Sequence, residues 1–390
     1  MLFWFFVAKE SGGIFGLPSP VADATPFVGV SIFWSAPFIW FYIYYAAVVG
    51  IFAAFWKFYA PHPWFNWSVL GSAAILFVTY FQVEVSVAIN NWNGPFGELI
   101  QASVSKSRPT PMAEYTDSFI VFFEIASVAV IVGSVTRFFV NHYNFRWRAA
   151  MNDYFTARWQ QIRTVEGASQ RVQDDTMRFS STMETLGVNA IEAIMTLIAF
   201  LPVLHSLEHY VTALPIIGVV PYPLVTAAIV WSLLGTGFLA LIGMKLPGLE
   251  FKNQRVEAAF RKELVLGEDN FDRAQPETLR EFFASVRKNY FVLYFHYVYF
   301  NIGRILYLQA DNLFSYFAML VALVTQTITL GPLNRIGGAF DQVRNSFQFL
   351  INSWPTIISL ISIYRRLRAL EAVIEGQPLP KIDQEPNAIV

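Results

Sequence analysis

The sequence predicts an all-α membrane protein with about seven transmembrane helices and two long helical excursions into the cytoplasm. Hydrophobic residues make up 55% of its 390 positions and charged residues only 14%, a balance outside the range of soluble domains. Apolar runs long enough to cross a bilayer recur along the chain. Between them the charge gathers in two segments, 141–186 and 245–288.

Residues 1–30 open on LFWFFV, a short apolar tract without a basic flank or a cleavage-site pattern. It reads as an interfacial segment, where aromatic rings are favoured. The first span runs over 33–59 and ends in Lys57 and the PHPW turn at 61–64, where two prolines stop a helix. A second span, 67–89, carries Glu84. Residues 90–117 are rich in Asn, Gly, Pro and Ser and read as an external loop. The third span, 119–140, contains Glu124.

Residues 141–186 form the first excursion. In its second half Arg171, Asp174, Asp175 and Arg178 stand at helical spacing beside an apolar stripe of Val172, Phe179, Met183 and Leu186. No proline interrupts 166–200, so one helix is expected to rise out of water and continue into lipid as the fourth span, 188–207. The fifth span covers 220–244, the second excursion 245–288, the aromatic-rich sixth span 290–323 and the seventh 336–363, which ends in Arg365, Arg366 and Arg368. The excursions and the RRLR run hold most of the Lys and Arg, which resist translocation. The N-terminus is therefore expected outside and the C-terminus inside, with a transporter domain over 31–370 and a cytoplasmic tail over 371–390.

A net charge of minus one, with no dense basic run, gives no reason to expect nucleic acid as a partner. Absence of Cys removes disulfides, thiolate catalysis and Cys-type metal sites. No G-x-x-x-x-G-K-[ST] occurs in the sequence, so it contains no P-loop. Movement of cargo would then draw on a separate ATPase or on an ion gradient.

Carboxylates at the edge of lipid support the second option, because a desolvated Glu can load and release a proton near neutral pH. Glu84, Glu124 and Glu192 are the embedded candidates. Glu184 and Glu192 are eight residues apart, about 12 Å along one side of a helix, and Glu166 lies five turns below Glu184. Glu166 and Glu184 either extend that line into the cytoplasm or pair with Arg163 and Arg178. In the second excursion Glu250, Glu257 and Glu263 alternate with Lys252, Arg255, Arg261 and Lys262, the pattern of a salt-bridged surface. Arg304 and Asp311 are seven apart in the sixth span, and Asp341 and Arg344 three apart in the seventh. Each pair is either neutralised within its helix or part of a polar cavity wall. Tyr294 and Asn301 belong to a ring of aromatic and amide groups, some facing lipid and others suited to binding peptides of varied sequence. His205, Glu208 and His209 fit H-x-x-E-H, but a zinc site needs a third ligand on a nearby element. No metal is expected there.

Six helices arranged two, excursion, two, excursion, two resemble the membrane domain of ABC exporters, particularly the fatty-acyl exporter branch. The shared segments are Gln170-Arg171 with Asp175, and Leu330-Gly331 followed by 339–343 (AFDQV) and Phe347. The chain resembles the SbmA/BacA family of bacterial inner-membrane peptide transporters more closely, through 139–143 (FVNHY), 145–152 (FRWRAAMN), 166–179 (EGASQRVQDDTMRF), 195–204 (MTLIAFLPVL) and 245–265 (KLPGLEFKNQRVEAAFRKELV). That resemblance implies an ABC-exporter-like membrane fold with no nucleotide-binding domain, a homodimer in the bilayer, and proton-driven import of varied peptides, including antimicrobial ones. It implies no enzyme activity and no cofactor beyond protons as coupling ion. It also adds Glu250 and Glu263 to the proton-coupling candidates. The shorter lead at the N-terminus departs from the family pattern. The alternative is the membrane subunit of an ABC-type transporter for peptides or very long acyl chains, working with a separate ATPase.

Overall fold

The computed structural model describes residues 4, 8–17, 28–165 and 167–378, so the candidate Glu166 and the tail beyond 378 lie outside the described residues. Eight long helices are numbered here in chain order: α1 (Ala36–Tyr59), α2 (Ser72–Val104), α3 (Met112–Thr156), α4 (Thr176–Ser206), α5 (Pro223–Gly243), α6 (Leu246–Asp269), α7 (Pro276–Ala318) and α8 (Leu330–Ile374). Proline in the first turn starts α1, α5, α6 and α7, where a missing N–H leaves no helical hydrogen bond unmade. No strand occurs among the described residues, which pair only Leu214 and Gly218 in an isolated bridge.

By length and hydropathy, five of these helical stretches can cross a membrane, those containing α1 to α5, and α8 makes a sixth when its two bent halves count as one span. The helix of the expected sixth span, α7, is not among them. Its tyrosines, with His296, Asn301, Arg304, Gln309, Asp311 and Asn312, lower its hydropathy below that of its neighbours. A count of about seven therefore becomes five or six by this measure.

Two boundaries differ from expectation. The stretch read as an external loop, 90–117, is mostly helix: α2 continues through Pro95 to Val104, and only 105–111 turn back toward α3. Asn90, Asn91, Trp92, Gly94 and Gly97 are buried there, and tertiary packing overrides the low helix propensity of these residues. The first excursion also holds a reversal that its charge pattern does not mark, while the helix expected to rise into the fourth span is present. α3 runs 45 residues to Thr156, and the chain reverses through the four-residue helix Trp159–Ile162 and through Gly167 at φ +70°. From Ala168 it is helical to Ser206, with a widened π turn at Arg171–Asp175.

α8 packs along α4 and α2 and forms the spine of the bundle. Its first half shares a core with α4 and α5 in which Phe200, Leu204, Leu224, Ile336 and Val343 are fully buried. Within lipid such contacts hold by close packing rather than by expulsion of water. Past Pro355, α8 bends by 42° between Ile357 and Ser359, as expected where a proline removes a helical hydrogen bond. The bent half carries Ile363, Leu367 and Leu370 onto Phe155, Ile162 and Val172 of the first excursion.

Candidate functional site

Three of the expected acids stand beside one packed seam. Glu84 on α2 lies between Val83, which joins Met195 and Ile191 of α4 in one cluster, and Val85, which joins Ile125 of α3 in another. Glu192 follows Ile191, and Glu124 precedes Ile125. The three acids are therefore carried on three adjoining helices, each next to a residue of one of these clusters.

Their surroundings differ. Glu84 is half-buried and lies within electrostatic reach of the Tyr80 hydroxyl and of Lys9. Lys9 belongs to the N-terminal segment, whose Trp4 and Ala8 pack on Phe41 and Tyr80, and Trp40 Nε1 donates to the Ala8 carbonyl at 2.8 Å. Sequence spacing places no base within two turns of Glu84; the fold supplies one from 75 positions away. Glu124 and Glu192 are exposed and have no hydrogen-bond or ion-pair partner among the described residues.

Glu184 continues the line on α4. It is half-buried and accepts from Asn144 Nδ2 at 3.4 Å. Arg178 is not its partner, since that guanidinium meets Asp174 at 3.0 Å, and Arg163 donates to Gln160. Glu250 accepts from the Tyr297 hydroxyl at 2.8 Å, which ties the start of α6 to α7. Glu263 is buried against the turn between α6 and α7, where it accepts from the Ala274 N–H at 3.1 Å and meets Arg273 at 3.4 Å. That contact closes a turn and leaves little of Glu263 exposed.

Among the cavity candidates, Tyr294, Asn301 and Arg304 are exposed on α7. Asp311 does not pair with Arg304. It faces Arg344 of α8, which also meets Asp341 at 3.3 Å. His205 Nδ1 lies 2.9 Å from Glu208, whereas His209 Nδ1 meets the Ser206 carbonyl at 3.0 Å, so the two rings serve different partners at the end of α4.

A polar seam between α2 and α8 has no counterpart in the sequence reading. Arg335 Nη2 donates to Asn91 at 2.9 Å, and Asn90 Nδ2 donates to the Arg335 carbonyl at 3.1 Å. Glu98 accepts from Thr329, and Gln101 from the first N–H of α8, Leu330, at 2.6 Å. The signal was present in Glu98 and Gln101, but the stretch that holds them reads as loop. Beside it, Glu98, Glu114, Asp117 and Arg108 line an outer cleft between α2 and α3. Arg108 donates two hydrogen bonds to Glu114, at 2.8 and 2.6 Å.

A family described as SbmA/BacA-like matches residues 61–375. The chain belongs to this family. The SbmA/BacA-like region spans α2 to α8 and holds every candidate acid. The chain is also similar to the inner membrane ABC transporter ATP-binding protein YddA of Escherichia coli (strain K12), at 24% identity over 335 residues, covering 80% of this chain and 59% of that protein. Its similarity to ABC transporter D family member 2, chloroplastic, of Arabidopsis thaliana is 22% over 257 residues, covering 60% of this chain and 34% of that protein. This SbmA/BacA-like chain thus spans about three fifths of one relative and a third of the other.

Proposed function

We propose that the chain is a proton-driven importer of peptides in the bacterial inner membrane, working by alternating access as a homodimer with its N-terminus outside and its C-terminus inside. One observation carries the reading: three carboxylates stand on the adjoining helices α2, α3 and α4, and two of them have no partner among the described residues. Ionisable groups at such depth are costly to keep and belong to ion pathways. A proton bound there removes the charge that holds an aqueous cavity open, and its release toward the cytoplasm restores it. Unpaired acids on a cavity wall also attract basic cargo. Membership of the SbmA/BacA-like family supports transport.

The test is uptake of a labelled cationic peptide into proteoliposomes with an acidic exterior. Glu84→Gln and Glu192→Gln should each lower the initial rate by roughly tenfold or more, the scale on which loss of a proton-transfer group acts. Full-rate uptake in both variants would overturn the proposal.

The names of the two relatives keep a second reading open, in which the chain is the membrane part of an ABC-type system served by a separate ATPase. ATP added on the cytoplasmic face together with a co-purified ATPase would then stimulate uptake. The gradient alone would not.

A further inference from the structure

The cluster around Arg344 is not part of the acid line, and it joins three helices. Arg344 is 15% exposed and lies between Asp311 of α7, 5% exposed, and Asp341 of its own helix, 63% exposed. Asp311 also accepts from Trp231 Nε1 of α5 at 2.8 Å. The Trp231 ring stacks on Phe314 at 4.0 Å and 5° and on Tyr307 at 5.8 Å and 26°. Gly235, one turn from Trp231, lies against the Tyr307 ring, where a Cβ would overlap it. α5 and α7 are thus held to each other by aromatic packing and to α8 by one guanidinium.

That guanidinium is shared by two carboxylates, which leaves the cluster one negative charge in excess. Asp311 is buried, hydrogen-bonded by Trp231 and ion-paired with Arg344, so the exposed Asp341 is the member that can gain or lose a proton. The other titratable groups facing the cluster are Asp311 and Tyr307, both on α7. α5 contributes Trp231 and Ser232, and the α4 and α2 residues packed at this level are Leu197, Phe200, Leu204 and Val87, none of which titrates.

We propose that Asp341 is a proton-responsive positioning residue that sets how firmly α8 holds α5 and α7. When Asp341 is neutral, Arg344 serves Asp311 alone and the Arg344–Asp311–Trp231 chain is at its tightest. When Asp341 is ionised, it competes for the same guanidinium and the chain loosens. Hydrogen-bonded ion pairs in a low-dielectric setting respond strongly to such competition. The tie is local, so it operates whatever the cargo.

Ser315, half-buried beside this cluster, provides the readout. Ser315→Cys introduces the single thiol of a chain that has none. Its rate of alkylation is followed in purified full-length protein, without peptide or gradient, in parallel in the native and Asp341→Asn backgrounds. The ratio of the two rates cancels the ionisation of the thiol itself. It should be near one at the acid end of the range, where Asp341 is protonated, and rise to roughly threefold once Asp341 is ionised. Asp341→Glu, which keeps a carboxylate, should restore the pH dependence. A ratio that stays constant with pH, or an Asp341→Glu protein that behaves as Asp341→Asn does, would overturn the proposal. Because no transport is measured, failure here is separate from failure of peptide import.

Discussion

Asp175 is 2% exposed, although it lies in a stretch of the sequence rich in charged residues. It accepts two hydrogen bonds from Arg366, at 2.7 and 2.8 Å, and Arg171 donates to the Arg366 carbonyl at 3.0 Å. The pair bolts the π turn below α4 to the bent half of α8. Its two halves are unequal, because Arg366 is 41% exposed and can turn to water whereas Asp175 cannot. Arg366→Met should therefore destabilise the protein by about 3 kcal/mol, the scale of a buried charge left without its partner. Asp175→Asn should cost clearly less, and thermal unfolding in detergent distinguishes the two. Equal losses would contradict this account. Between α2 and α3, the Arg108 hydrogen bond holds the Glu114 carboxyl below its ordinary value of 4.5. A depressed native value adds stability above the ordinary one, and that contribution is lost as pH falls through the native value. Carbon NMR of labelled Glu should show Glu114 returning upward toward 4.5 in Arg108→Ala. At this scale the sequence was legible in residue type and not in partner. Spacing offers Asp311 either a pairing with Arg304, about 10 Å away along the same helix, or a place in a polar cavity wall, and a neighbouring helix brings Arg344 to it instead. Lys9 could not have been assigned to Glu84 from spacing at all.

Elements were easier to read where composition and packing agree. α1, α4 and α5 lie close to their expected spans because an apolar run between prolines or charges leaves few alternatives. α2 was cut short because Asn, Gly and Pro signal a turn to a reader who cannot see α8. Those glycines serve a helix crossing: a Cβ on Gly97 would come within 2.8 Å of the Gly331 Cα. Close approach of backbones at small residues is a common way for helices to associate in lipid. Gly97→Val should separate α2 from α8 and destabilise the protein by about 1–3 kcal/mol. Alkylation of a Cys placed at Gln101, which bonds the start of α8, should become faster in that variant. An unchanged labelling rate and an unchanged melting temperature would remove the crossing from the account. The bend after Pro355 was equally hidden, since the residues around it read as one uniform span.

For the whole molecule, the all-helical class and the two excursions followed from composition and from the placement of charge. What composition could not supply was which helices meet: one core along the first half of α8, another at its bent half, and two further clusters beside which Glu84, Glu124 and Glu192 stand on adjoining helices. α7 shows the limit of hydropathy as a guide, because a helix with Arg304 and Asp311 scores poorly even where Asp311 is neutralised by a neighbour. The central claim is that a proton gradient, acting through these acids, moves cargo in a chain whose sequence carries no P-loop. It is tested most directly by peptide uptake into sealed, nucleotide-free vesicles before and after a protonophore is added. The account predicts accumulation under an inward proton gradient that stops when the gradient collapses. Uptake that continues unchanged through the collapse would contradict it.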